Sequence, residues 1–427
     1  MIKSALKIEA ALNTLDGCNH FLSHLSSAAA RLAPEEILEI HLSYVSNTHQ
    51  PVNTSDDKKK ERNLLSLAGR CGLTLYGNRC NFIQSTVPSI DADNKIGEVV
   101  YFRRRSGSPR WRISSLTQNE YPAFASLFKL VFRQSISKQL WFWKYGNKQG
   151  CSVTAWSGMN LVAHYGGIVR NVIAFGKPSI ALQVCDAMVA PDQRAVMTKT
   201  GAMFQVTSAF LELFQGLGPI TLAYGFPNRR AMRLGEKLGL YSEVGGLLEL
   251  RWLVKSQKSF LSLRTSVLLP DSVEDRDDLN KLWNSMAIDH KDSVIGVRDW
   301  HYLSHRFLQH PEKIYELILV RRRLTGTPIG LLVLRKEETA VALVDLVSRA
   351  KHIKLLIKEA RRLTHKWQCN NLYAWISRQH ACQFSSKDTS IRDIEVSIPT
   401  NAWVPQPFDT QQLFDRWWLT MGDTDFL

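Results

Sequence analysis

The stretch YGFPNRRAMRLGEKLGLY, residues 224–241, runs an apolar strand through Pro227 and Asn228 into a basic helix. Asparagine is a favoured N-cap, because its side-chain oxygen accepts from an otherwise unpaired amide of the first helical turn. Ala231, Leu234 and Leu238 then fall on one face, and Lys237 precedes a C-terminal glycine, Gly239. Arg229 and Arg230 stand in the first turn, where the helix dipole, about half a positive charge, disfavours cations. Either the arginines face water on an ordinary surface helix, or the helix mouth meets an anion.

Working upstream, Thr117 and Glu120 form a capping box, and Phe124, Leu127, Phe128 and Val131 follow at helical spacing. LWFWKYG (140–146) reads as a second short helix. Three strands come next, CSVTAW, LVAHYGGIVRNVIAF and IALQVCDAMV, separated by the turns SGMN and GKPS. The polar loop PDQRAVMTKTG leads into a helix with Met203, Val206, Phe210, Leu213 and Phe214 on one face. With the strand ITLAYGF, the order is two helices, a three-strand meander, a helix, a strand and a helix. That order predicts an α/β layer on a mixed, mostly antiparallel sheet flanked by helices.

Downstream, from residue 266, the same order returns: two helices, the strands IYELILVRRR, IGLLVLRKE and AVALVDLVS, a helix and the strand NLYAWIS. The element order reads as a degenerate internal duplication. Asp186 in VCDAMV and Asp345 in LVDLVS occupy similar apolar settings. Residues 1–110 are expected to form an N-terminal extension. In it AALNTLDGCNHFLSHLSSAAARLA and PEEILEIHLSYV look helical, the polar run near 45–62 reads as a linker, and GEVVYFRRR reads as a strand. Domains are expected at 111–257 and 262–427. The tail RWWLTMGDTDF, with Trp417 and Trp418 adjacent, is expected to dock on the body.

The chain has 427 residues and a net charge of +15, scattered in short basic runs far apart in sequence. Without an RNA-type aromatic signature or zinc finger, that distribution points to small anions rather than nucleic acid. No apolar run is long enough to span a bilayer, and the first twenty residues lack the apolar core of a signal peptide. Seven dispersed cysteines form no CxxC pair, which fits a reducing cytoplasm. His and Cys residues do not cluster at ligand spacing, so no metal is expected.

The opening stretch resembles the last conserved block of the GNAT acyltransferase superfamily, Asn-x-x-Ala-x-x-Leu-Tyr-Glu-Lys-Leu-Gly-Phe. Asn228, Ala231, Leu234, Glu236, Lys237, Leu238 and Gly239 match it. The resemblance implies tandem GNAT-like domains, the first well formed and the second degenerate. WKYG, VAHYGG, CDAMVAPDQR, YGFPNRR and RWWLTMGDTDF together look like a tandem group found among bacterial exopolysaccharide-biosynthesis N-acetyltransferases. It implies acetyl-CoA or another acyl-CoA as co-substrate, in a V-shaped opening between the fourth and fifth strands. Met188 and Val189 would lie on the splayed strand. Arg194, Thr198, Lys199, Thr200 and Gly201 would cradle the pyrophosphate. Asn228 and Arg229 would lie near the pantetheine arm. The usual glycine-rich phosphate loop is replaced by Ala-Val-Met-Thr-Lys-Thr, and Gly235 stands where many members carry the tyrosine that protonates the leaving thiolate.

Amine or hydroxyl acylation needs a base. Asp186 is the first candidate, its pKa expected to rise on burial; the competing role is a buried carboxylate pairing with an arginine or holding a turn. His164 is the second candidate, against a core histidine. Tyr224 and Tyr241 are nearby replacements for the missing acid. Trp141, Trp143, Lys144 and Tyr145 suggest a sugar-stacking platform or core aromatics. The leading expectation is an acyltransferase acting on an amino sugar or nucleotide sugar in polysaccharide synthesis. The alternatives are a Fem-like enzyme using aminoacyl-tRNA and a non-catalytic polysaccharide-binding or scaffold protein.

Overall fold

The computed structural model describes residues 4–33, 36–45, 54–75, 95–107, 109–146, 149–194, 198–254 and 262–424. The N-terminal region is folded. Strand β1 (Ser4–Ala11), helix α1 (Leu15–Arg31), β2 (Ile37–Val45), α2 (Thr54–Arg70), β3 (Leu73–Leu75) and β4 (Lys95–Arg104) build a four-stranded sheet of order β1-β2-β4-β3. This corrects two expectations. In PEEILEIHLSYV, Ile37–Val45 is a strand: Leu38, Ile40 and Leu42 alternate onto the buried face. The polar run is helical from Thr54 on; residues 46–53 lie outside the described residues. Its charged start conceals a helix that buries Asn63, Leu64, Leu67 and Ala68.

The first half follows the expected order. It comprises β5 (Arg112–Ser114), α3 (Tyr121–Phe132), α4 (Lys138–Tyr145), β6 (Gly150–Ser157), β7 (Asn160–Ala174), β8 (Lys177–Val189), α5 (Ala202–Leu211), β9 (Leu222–Tyr224), α6 (Arg229–Lys237) and β10 (Tyr241–Leu253). Strands β5 to β8 pair antiparallel in chain order, and β9 joins β8 in parallel. The N-terminal unit shares this half's core: Phe21 and Leu25 belong to one apolar cluster with Val153, Phe210 and Phe214. Buried Glu212 ties the units together, accepting from Arg70, Ser66 and the Trp403 indole.

The second half repeats the order with β11 (Leu263–Val267), α7 (Val273–Asp289), β12 (Val294–Gly296), α8 (Trp300–Leu303), β13 (Glu316–Arg322), β14 (Pro328–Lys336), β15 (Ala340–Val347), α9 (Ile353–Lys366), β16 (Asn371–Ser377), α10 (Ala381–Phe384) and β17 (Thr389–Asn401). Its seven-stranded sheet runs β11-β13-β14-β15-β16-β10-β17. Strand β10 therefore leaves the first half and lies between β16 and β17. In return β12 pairs with the far end of β7, and β18 (Trp417–Trp418) pairs with β12. Each half thus donates a strand to the other's sheet.

The tail docks, as its adjacent tryptophans suggest. Trp417 and Trp418 are fully buried. Trp418 packs on His290, His380 and Phe384 with ring centroids 4.4, 4.8 and 5.7 Å away. Truncating such a side chain leaves a cavity, so Trp418→Ala is expected to cost about 3–5 kcal/mol in a urea denaturation series.

Candidate functional site

Strands β8 and β9 pair only through Ala181–Leu222, Leu182–Ala223 and Gln183–Tyr224. Beyond that point they part, and residues 184–187 and 225–228 form opposite walls of a cavity of about 790 Å3. A bulge drives the parting. The β7–β8 register shifts between His164 and Gly166, and Asp186 sits there in the left-handed region at φ 48°. Parted strand edges leave backbone amides and carbonyls that need partners, and an extended ligand carrying amides supplies them.

The bulge is held from behind. The Lys144 ammonium donates to both Asp186 carboxylate oxygens at 2.9 and 3.1 Å, and the Tyr145 hydroxyl donates at 2.7 Å. His164 Nδ1 donates to the Asp186 carbonyl at 2.7 Å. Gly166 makes room: a Cβ there would lie 2.5 Å from the Tyr145 hydroxyl. Burial alone would raise the Asp186 pKa, but Lys144 and Tyr145 outweigh it and hold the carboxyl below its usual range. The expected rise is therefore corrected: Asp186 is an ionised carboxylate paired with a lysine. His164 is fully buried and pushed down to about 4, so it is neutral, and it does not border the cavity.

Other expected residues divide similarly. Tyr224 and Asn228 border the cavity. Asn228 caps α6, accepting from Ala231 N at 2.9 Å. Arg229 is exposed and pairs with Glu395 at 3.4 Å, an acidic neighbour on β17 that offsets its place at the helix mouth. Met188 and Val189 are buried in the first core rather than on the cavity wall. Arg194 donates to the Val189 carbonyl at 3.0 Å, and Thr198 meets Thr200 at 2.8 Å. Residues 195–197 of this loop lie outside the described residues. Gly201 is the N-cap of α5 and gives it no side-chain cap. Lys199 lies 5.3 Å from the Trp403 ring, and Thr200 borders a second cavity of about 430 Å3. Of the three aromatics grouped with Lys144, Trp141 is core, while Trp143 borders the cavity and stacks on His305 at 5.1 Å.

Tyr241 explains Gly235. A Cβ on Gly235 would lie 1.9 Å from Tyr241 Cδ2, so the tyrosine ring fills the place of a residue-235 side chain. Its hydroxyl contacts that of Tyr165 at 2.6 Å, and both rings border the cavity. Burial pushes Tyr241 up to about 12, so it is protonated near neutrality. The sequence signal was weak: a helical glycine six residues before a tyrosine, on the far side of a turn.

The second half contains the same parting. Strands β15 and β16 pair in parallel from Ala340–Asn371 to Leu343–Ala374 and then separate. There the opening is filled by the chain's own tail: Ser377 N donates to Leu419 O at 3.0 Å, and Thr420 bridges antiparallel to Ile376. Asp345, opposite Asp186 in the duplication, accepts from Arg298 and Thr420.

Solved structures resemble this arrangement. A conserved protein of unknown function from Enterococcus faecalis V583 matches at 10% identity over 72% of this chain and 75% of its own, with a TM-score of 0.54. A GCN5-related N-acetyltransferase from Anabaena variabilis ATCC 29413 matches at 14% identity over 68% of this chain and 72% of its own, with a TM-score of 0.53. The shared feature is the fold: mixed α/β, with helix-flanked sheets of the GNAT type. No family model and no curated protein matches the sequence.

Gly235→Ala is expected to destabilise the protein by about 1–3 kcal/mol through overpacking. Combined with Tyr241→Ala, the loss should be smaller than the sum of the single losses, as read from denaturation midpoints in a double-mutant cycle. His164 also sets a pH dependence. The unfolded chain binds its proton near the ordinary pKa of 6.5 and the folded chain only at about 4. Stability should therefore fall on acidification across that window, by up to about 1.4 kcal/mol per pH unit for this group. His164→Asn, which retains a donor to the Asp186 carbonyl, should flatten the slope of melting temperature against pH.

Proposed function

We propose that the first half binds an acyl-CoA between β8 and β9 and transfers its acyl group to an acceptor entering from the side of the second half. The observation that carries this reading is the pair of parted strands: one opening is filled by a strand-like segment of the tail, the other borders the large cavity. In the open one, pantetheine amides would pair with the strand edges as the tail pairs in its counterpart. Met203 and Thr207 of α5, Leu234 of α6 and Leu238 just after it border the cavity and would flank the cofactor. Gly201, at the uncapped start of α5, and Lys199 would face its phosphates.

The acceptor nitrogen or oxygen attacks the thioester carbon, and collapse of the adduct breaks the carbon–sulfur bond. Tyr241 gives its proton to the departing thiolate and recovers one from solvent through Tyr165. The acceptor's proton passes to solvent in the cavity; Asp186, ionised and bordering the cavity, stabilises the positive charge that develops on the acceptor, and Lys144 and Tyr145 fix its orientation. Tyr224 lines the acceptor side. An acetyl group, and an amino sugar or nucleotide sugar acceptor in polysaccharide synthesis, remain the finer reading and rest on the sequence resemblance.

Calorimetric titration with acetyl-CoA and longer acyl-CoAs tests the proposal; absence of binding by the folded protein to all of them defeats it. Tyr241→Phe is expected to bind acyl-CoA normally while kcat for CoA release falls about 10²-fold, the range for loss of a general acid.

A further inference from the structure

The cavity wall opposite the parted strands is built by both halves. Arg170 comes from β7, Tyr302 from α8, Arg306 from the turn after it and Thr424 from the tail. Three arginines and two aspartates are buried together behind this wall. Arg298 is fully used: Nε meets Asp345 at 3.1 Å, Nη2 meets Asp423 at 2.5 Å and Nη1 donates to Gly296 O at 2.8 Å. Among the described residues the Arg170 side chain donates to the other Asp423 oxygen, at 3.1 Å. Arg306 donates to two tail carbonyls, Gly422 O at 3.0 Å and Thr424 O at 2.9 Å.

Two donors are left over. Arg170 Nε and Arg306 Nη1 are buried and have no hydrogen-bond partner among the described residues. Both residues border the cavity, at 5% and 6% exposure. Among the described residues Arg306 has no carboxylate at ion-pair distance, and those of this wall include three guanidinium groups against two carboxylates. The remaining acidic groups on the cavity do not correct the excess: Asp186 is committed to Lys144, and Glu312 accepts from Ser137 at the exposed rim. Pinning the tail accounts for two of the Arg306 donors but not for its buried charge, which is costly without a counter-ion. Aromatic rings hold the guanidinium groups in place: Arg170 lies 3.6 Å from the centre of the Tyr302 ring and Arg306 lies 5.5 Å from that of Trp143. A fixed guanidinium fork suits a carboxylate or phosphate.

We propose that Arg170 and Arg306 form an anion seat, and that the acceptor carries a phosphate or carboxylate bound there. The seat itself stands on these contacts; its assignment to an acceptor rests on the acyltransferase reading above. Inorganic phosphate and acetate, titrated at constant ionic strength against the full chain, are expected to raise the melting temperature saturably, and the stronger of the two identifies the anion class. Arg306→Lys, which keeps the charge but loses the fork, and Arg306→Met should weaken that affinity about tenfold or more while acetyl-CoA binding persists. If Arg306→Met does not fold, Arg306→Lys and the wild-type titration still decide. No saturable shift by either anion on the wild type, or a shift that survives in both folded variants, overturns the seat. Paired acceptors then test its use: glucosamine 6-phosphate against glucosamine, and alanine against alaninamide, in acetyl-CoA-dependent CoA release. Equal turnover of charged and neutral partners overturns the acceptor assignment. Anion binding without any acyl-CoA binding leaves the seat standing and removes the acyltransferase reading instead.

Discussion

Strands β8 and β9 separate after three residue pairs because Asp186 takes a backbone conformation that a continuous ladder does not accommodate. Such a conformation persists only where its surroundings over-determine it. Here the surroundings are Lys144 and Tyr145, neighbours at the end of α4, and His164 on β7, all hydrogen-bonded to one residue. The ion pair therefore shapes the cavity before it serves any chemistry. It also explains why a carboxylate in an apolar strand stays ionised.

The strand exchange between the halves follows a similar logic. With β10 placed between β16 and β17, and β12 placed against β7 with β18 beyond it, neither half completes its sheets alone. The Asp423 carboxylate, shared by Arg170 of one half and Arg298 of the other, closes that joint in the buried interior. An acceptor site formed there inherits rigidity from both halves, which is what a positioned guanidinium fork requires.

Much of this architecture was legible in the sequence. The meander, the parallel crossover and the repeated element order are bounded by clear turn residues, and their apolar periods agree with the strands and helices that form. The N-terminal unit was less legible: the spacing in ILEIHLSYV admits two periods, and the charged start of α2 hides a helix whose packing surface lies in its last turns. The site was legible only where chemistry is local. The strand position of Asp186 and the cap position of Asn228 were readable, and both residues border the cavity. The packing of Tyr241 on Gly235 depends on how the chain turns after α6, and the pairing of Arg170 with a tail residue on a contact between distant segments; one sequence displays neither. Burial was read correctly for Asp186, but its sign was not, because the compensating lysine sits on a separate helix.

The filled opening of the second half has a quantitative side. A segment joined covalently to the surface it occupies behaves as a ligand at an effective concentration of the order of millimolar or higher. Any free molecule competing for the gap between β15 and β16 must overcome that local excess and also detach Trp417 and Trp418 from their buried sites. The repeated element order thus yields two similar strand partings, one of them occupied from within. On the reading proposed above, that leaves one opening for a diffusible guest, and the stoichiometry would be set by covalent tethering rather than by affinity.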